Sequence, residues 1–179
     1  YTFLSKDENP NRKKLLFSLA LKDAKDLKAS VLEDHLDCEQ GDLPEEIFRK
    51  DLLCPRIFLE ELTPYRSMIR EFFEEETKHS FAEQPERILD YLKKNITFHA
   101  EEEYDTIMAT PVGVLTMKQG SPLAQKILFV AICRSLNVAA RLNPVTLEPE
   151  YYHNGAFHSV ETEAAVLEEE TESAVLALN

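Results

Sequence analysis

The sequence predicts an α+β domain, helix-rich over its first half and closing on a small antiparallel sheet. Three observations carry this. Proline-marked helix starts with apolar residues at helical spacing recur up to residue 95. A long apolar segment, LAQKILFVAICRSLN, is framed by the signals of a buried helix. An Asn154-Gly155 pair lies between two aromatic-rich runs, the strongest short hairpin signal in the chain. With 179 residues the chain is sized for one domain that needs no disulfide or metal to hold it.

Taken in order, Asn9-Pro10 opens a helix over 10–22 with Leu15, Leu16, Leu19 and Ala20 on one face. A second helix over 24–37 carries Leu27, Val31, Leu32 and Leu36 and stops before Gly41. The run Asp42-Leu43-Pro44-Glu45-Glu46 is a cap, a proline and an acidic first turn, followed by Ile47, Phe48, Leu52 and Leu53. Thr63-Pro64 introduces a face of Tyr65, Met68, Ile69, Phe72 and Phe73, read as core. Pro85 opens ERILDYLKKN, where Ile88, Leu89 and Leu92 share a face and Asn95 ends the helix before an extended ITFH. The runs Glu74-Glu75-Glu76 and Glu101-Glu102-Glu103 read as solvated, because consecutive carboxylates point in different directions and no histidine is spaced to join them as metal ligands.

From residue 110 the pattern changes. Residues 111–120 read as a loop or short helical turn. Ser121 as cap, Pro122 at the first helical position and Asn137 as left-handed terminator then frame a helix of about four turns, apolar nearly all round. A strand over 138–142 and the hairpin follow, and the acidic segment beyond Val160 reads as a weakly held tail or as the start of structure that the chain does not complete. The organisation expected is a helical region over 1–110, a core over 111–165 and a tail over 166–179, within one compact domain.

Composition excludes several functions. Lys+Arg 20 against Asp+Glu 33 gives a net charge of -13, with the basic residues dispersed, which disfavours nucleic acid as a partner. No apolar run reaches the roughly 18 to 20 residues of a membrane span, and the first residues lack the basic-then-apolar pattern of a signal segment. Cys38, Cys54 and Cys133 are an odd number without a CxxC spacing, so they read as free thiols rather than a disulfide framework or a zinc site. No motif calls for a metal or another cofactor. His153 and His158 flank the hairpin and would need a third ligand to hold a metal, while His35, His79 and His99 have no evident partners in the sequence.

The stretch SPLAQKILFVAICRSLNVAARLNP, followed by EYYHNGAFHSVE, resembles the transglutaminase-like superfamily, especially the large secreted or cell-envelope proteins of Bacteroidetes type. LPEEIFRKDLLCPRI, LTPYR and PVGVL look like the helical region that precedes the core in that group, and FVAICRSLNVAARL is the specific part. The resemblance implies a papain-like arrangement in which a central helix packs on an antiparallel sheet. Active members place a cysteine at the start of that helix, a histidine on a following strand and an aspartate on the next. Counted back from Arg134, the cysteine's place falls at Pro122, which carries no nucleophile. The histidine's place falls near Thr146 and the aspartate's near Glu161. The resemblance therefore implies a degenerate triad and a non-catalytic member.

Three classes of function follow. The first is a binding or scaffold module of a larger envelope or secreted protein, recognising a peptide, protein or glycan through Ser121 and Pro122 at the helix start and Tyr151, Tyr152 and Phe157 around the hairpin. The alternative is a cysteine- or serine-dependent acyltransferase or peptidase, with a displaced nucleophile (Cys133, Cys54 or Ser121) or with catalytic residues outside this chain. The third is a structural spacer.

Overall fold

The computed structural model describes residues 9–99 and 109–161. The N-terminal helices are short. α1 (Asn11–Ser18) and α2 (Leu21–Asp26) replace the single helix expected over 10–22. The last carbonyls of α1 are taken from outside: the Cys54 thiol donates to Ser18 O at 3.7 Å and Arg49 donates to Phe17 O at 3.4 Å. The chain leaves the helix at Leu19 and Ala20 in extended conformation. The helix expected over 24–37 starts later, as α3 (Ala29–Leu36): Asp23 of α2 is held by Arg56, and the chain runs extended through Leu27 and Lys28. α4 (Glu45–Ile47) continues into a π-helical turn over Phe48–Leu53 that buries Phe48, Leu52 and Leu53.

α5 (Tyr65–Phe72) follows Thr63-Pro64 as expected, but its start is capped from a distance. Pro64 has no capping oxygen, and Asp34 of α3 supplies one, its carboxylate accepting from Arg66 N at 2.8 Å and Ser67 N at 2.9 Å. The buried face is also shifted from the one expected. Tyr65, Arg66, Ile69 and Phe73 are buried, whereas Met68 and Phe72 are 49% and 45% exposed. Phe73 lies beyond the helix end with extended backbone, so it no longer obeys the helical period and turns into the core. There its ring meets Phe81 at 5.3 Å and Tyr91 at 5.1 Å, edge-on, joining α6 (Glu75–Glu83) and α7 (Glu86–Asn95). Glu74, Glu75 and Glu76 are exposed and sit at the N-terminus of α6, where the helix dipole favours them. Glu101-Glu102-Glu103 and the segment over 162–179 lie outside the described residues.

Residues 111–120 form α8 (Pro111–Met117), started by a Thr110 cap and ended by Lys118 in left-handed conformation. α9 (Pro122–Ser135) carries the expected frame: Ser121 caps it, Pro122 is its first residue, and Asn137 takes a φ of 64° beyond its end. It is buried on all sides from Ile127 to Ser135. β1 (Thr97–Phe98) and β2 (Gln119–Gly120) form a short parallel ladder before α9. After it, β3 (Ala140–Leu142), β4 (Pro149–His153) and β5 (Ala156–Ser159) form an antiparallel sheet in sequence order. Positive φ at both Asn154 and Gly155 gives the tight turn that their sequence predicts.

The fold is thus α+β, with α9 at its centre. One apolar cluster runs from Tyr65 and Ile69 through Ile88 and Leu92 to Ile127–Ile132 and Tyr151, so helices on both sides of residue 110 share it. A second joins Leu15, Leu32, Phe48 and Leu52 to Ala139, beside β3. No described helix is long and apolar enough to cross a membrane.

Candidate functional site

α9 has 14 residues and is therefore about 21 Å long. The sheet runs back and forth along it, which gives the core two distinct ends. Arg134 Nε donates to Ala140 O at 2.8 Å, placing the start of β3 by the C-terminus of α9. Lys126 Nζ meets Glu148 Oε1 at 2.6 Å, placing the β3–β4 turn near the helix start. β4 returns to the C-terminal end and β5 comes back, with Val160 N donating to Pro149 O at 2.9 Å. Pro122, the turn holding Thr146, and Glu161 after β5 therefore lie toward the same end of the core.

At that end each group has a structural employment. The Ser121 hydroxyl accepts from Ala124 N at 3.1 Å. Gly120 is packed so closely that a Cβ there would meet Val114 Cγ1 at 3.2 Å. Asn143 Oδ1 accepts from Val145 N and Thr146 N, and Thr146 Oγ1 accepts from Glu148 N at 3.3 Å. Thr146 and Glu161 are exposed, and the Lys126–Glu148 pair, 13% and 19% exposed, closes the space between helix and turn. The backbone of His99 donates to Gly120 O at 2.9 Å, so a histidine enters next to Ser121 along the β1–β2 ladder.

The stretch that builds this arrangement, residues 66–163, is matched by a family model described as the transglutaminase-like superfamily. The match covers more than half of the chain and runs from α5 to just past β5. The chain belongs to the transglutaminase-like superfamily. No curated protein and no solved structure matches it.

The thiols of this transglutaminase-like domain are all free and none lies at the helix start. Cys133 is fully buried inside α9, and burial pushes its thiol far up. Cys38 is half-buried, and burial raises its thiol too, against the opposing influence of Arg66. Cys54 is buried under Ser18. Neither His153 nor His158 meets a third ligand: their rings are 6.2 Å apart, His158 Nε2 lies 3.1 Å from His153 O, and no group of three His, Cys, Asp or Glu among the described residues is placed to hold a metal.

The other end of α9 is concave. A groove of about 270 Å³ is lined by Glu39, Asp42, Asn137, Tyr151, Tyr152 and His153, among others. Asn137 fixes one wall: its side chain accepts from Glu39 N at 3.1 Å and donates to Glu39 O at 3.2 Å. Tyr151 donates to the Glu86 carboxylate, and burial together with that bond pushes its hydroxyl up to about 12. The candidate binding residues are thus split. Tyr151 and Tyr152 line this groove, Ser121 and Pro122 stand at the far end of the helix, and Phe157 lies under the Arg141 guanidinium, 3.6 Å from its ring centre.

Sequence reasoning missed the buried arginines. Arg134 donates to the carbonyls of Ala140, Cys54 (2.7 Å) and Arg56 (2.9 Å), tying the N-terminal region to the core. Arg66, wholly buried, donates from Nε to His35 Nδ1 at 3.0 Å and also bonds Leu52 O. His35 therefore donates from Nε2 to Thr63 O at 3.3 Å, and burial followed by the Arg66 charge lowers its pKa well below the ordinary histidine value. An arginine inside an otherwise apolar helix is the one sequence signal that marks Arg134, and none marks Arg66.

Proposed function

We propose that this transglutaminase-like domain is non-catalytic and serves as a binding or scaffold module of a larger envelope or secreted protein. The observation that carries the reading is Pro122 at the first position of α9, where active members hold their cysteine. A thiol there draws its acidity from the helix N-terminus, and proline offers neither thiol nor backbone N–H. Supporting it, Lys126 and Glu148 occupy each other beside that position, and the resemblance puts the histidine's and aspartate's places near Thr146 and Glu161.

The test has two parts. In native chain, peptide mass spectrometry across pH 5 to 9 is expected to find no cysteine alkylating faster than an ordinary thiol of pKa about 8.5. Amine incorporation into a glutamine peptide is expected to stay at background. Turnover lost in a Cys→Ser variant overturns the reading. In contrast, Pro122→Cys is expected to create a thiol that alkylates faster than the three native ones, because it alone sits at a helix N-terminus.

A second reading rests on one observation. His99 N donates to Gly120 O, so the backbone of a histidine runs beside the residue before Ser121, and a serine nucleophile needs its base close by. A fluorophosphonate probe labelling Ser121, with labelling lost in His99→Ala, would select it over the binding module.

A further inference from the structure

We infer that the exposed face of α1 and α2 is the docking surface for an acidic segment of this same chain, residues 162–179. The inference goes beyond the reading of the domain as a binding module and stands whether or not the domain is catalytic.

The face combines two properties. First, it carries large apolar side chains in the open. Phe17 near the end of α1 is 78% exposed and Leu21 at the start of α2 is 85% exposed. Leu59, 74% exposed, comes from a loop held against α2: Arg56 Nε donates to Asp23 at 3.0 Å, and the same guanidinium bonds Glu60 O. Apolar side chains gathered on a surface mark a place that something covers. Second, the face is basic on a molecule whose net charge is -13. Residues 9–30 hold six Lys and Arg against two Asp. Lys13, Lys22 and Lys25 are exposed and have no ion-pair partner among the described residues, whereas Asp23 is taken by Arg56, so only Asp26 opposes them from α2. The lysines are registered with the apolar residues. Lys13 and Phe17 stand four residues apart on α1, and Leu21 and Lys25 four apart on α2, so each pair shares a side of its helix.

A complementary occupant must be acidic and apolar at once. Residues 162–179, outside the described part of the chain, hold Glu163, Glu168, Glu169, Glu170 and Glu172, no basic residue, and two apolar runs, AAVL and AVLAL. Residues 1–8 carry Lys6 against Asp7 and Glu8, so their charges nearly cancel and offer the lysines little. An anionic membrane would be repelled by the rest of a chain this acidic. Reach is not limiting: a segment of 18 residues spans roughly 60 Å when extended, against about 40 Å across a domain of this size. Each exposed lysine–glutamate pair contributes little alone. Covalent linkage, however, presents the segment to the face at an effective concentration on the order of millimolar, at which several weak pairs and the cover of Phe17 and Leu21 suffice.

The experiment is zero-length carbodiimide cross-linking of the full chain at low salt, with the links located by peptide mass spectrometry. Each link joins a lysine Nζ to a glutamate carboxyl carbon as an amide, and the water lost converts the carbodiimide to its urea. Links from Glu163, Glu168, Glu169, Glu170 or Glu172 are expected to reach Lys13, Lys22 or Lys25 at least about fivefold more often than Lys94 and Lys118, which are exposed elsewhere, and to fall by more than half in about 0.5 M sodium chloride. Phe17→Ser with Leu21→Ser, both at exposed positions, is expected to reduce the preference to less than about twofold while the amide NMR signals of β3–β5 stay in place. Links spread evenly over the exposed lysines, links from Asp7 and Glu8 alone, or a preference untouched by the two serines would overturn the proposal. In a mixture of isotope-labelled and unlabelled protein, links that join heavy to light chains assign the face to a second copy and overturn it too. Absence of the links, together with binding to phosphatidylserine vesicles that the two serines abolish, assigns the face to a membrane instead.

Discussion

The two ends of α9 are built on opposite principles. At its start the capping contacts are local: a serine caps its own helix and a proline fills the first position, while Lys126 reaches the turn before β4 and His99 N reaches Gly120 O. At its end the contacts are long-range. Arg134 binds carbonyls of Cys54 and Arg56, Asn137 binds the backbone of Glu39, and Arg70 crosses from α5 to Ser135. A helix start satisfied by its own sequence needs no other element to complete it. A helix end that draws in loops from three other elements acquires walls, and with them a groove. In this transglutaminase-like domain the groove lies at the end of α9 away from Pro122.

The strongest way to break that contrast is at Arg134. Its substitution by alanine leaves the buried carbonyls of Cys54, Arg56 and Ala140 without their donor and opens a cavity between the two apolar clusters. The expected loss is about 3–5 kcal/mol of unfolding free energy, read from the urea midpoint. Methionine at the same position fills the volume without the hydrogen bonds. If Arg134→Met is as stable as the native chain, the long-range bonds do not hold this end together.

Acidification probes the same N-terminal anchoring through His35. In the folded chain His35 is neutral, with Arg66 donating to Nδ1, and its folded pKa lies below the unfolded value of about 6.5. Below that value the unfolded chain takes up a proton that the folded chain refuses. Stability is therefore complete above about pH 6.5 and falls as pH drops toward the folded pKa, by up to about 1.4 kcal/mol per pH unit. Urea midpoints at pH 7.5 and 5.5 measure the slope, and His35→Gln is expected to flatten it even where the variant is less stable throughout. An unchanged slope in His35→Gln refutes this account of the cluster.

What was legible in the sequence was local backbone chemistry, at both ends of α9. Ser121-Pro122, Asn137 and Asn154-Gly155 each encode a backbone conformation in two adjacent residues, and each stands where its chemistry puts it. What was not legible depended on partners far along the chain. Asp34 caps α5 from 32 and 33 residues away, so the periodic face of α5 gave no warning that Arg66 is buried and Met68 exposed. α1 stops at Ser18 because residues 49 and 54 claim its carbonyls, a cause invisible in the run of leucines. The candidate site divided along the same line. Tyr151 and Tyr152 were marked by the family resemblance and do line a groove, but the rest of its lining includes Glu39 and Asp42, about a hundred residues earlier, which nothing in a linear pattern connects to the hairpin.

The Lys126–Glu148 pair sharpens the contrast at the sealed end. Both groups are mostly buried, and a double-mutant cycle with Lys126→Met and Glu148→Gln is expected to give a coupling of about 1 kcal/mol. A value near zero would mean that the turn bearing Thr146 is not fastened to the helix, and the start of α9 would be open after all.

The smallest effect belongs to Ser121. As a cap it satisfies one backbone N–H, so Ser121→Ala is expected to cost about 0.5–1 kcal/mol, and Ser121→Asp, which keeps an acceptor and adds a charge favoured by the dipole, is expected to restore it. If Ser121 instead serves as a nucleophile beside His99, the pattern reverses. Alanine then leaves stability within error but removes probe labelling, and aspartate fails to restore the labelling. The two substitutions thus separate a helix that begins as pure architecture from one that begins with chemistry.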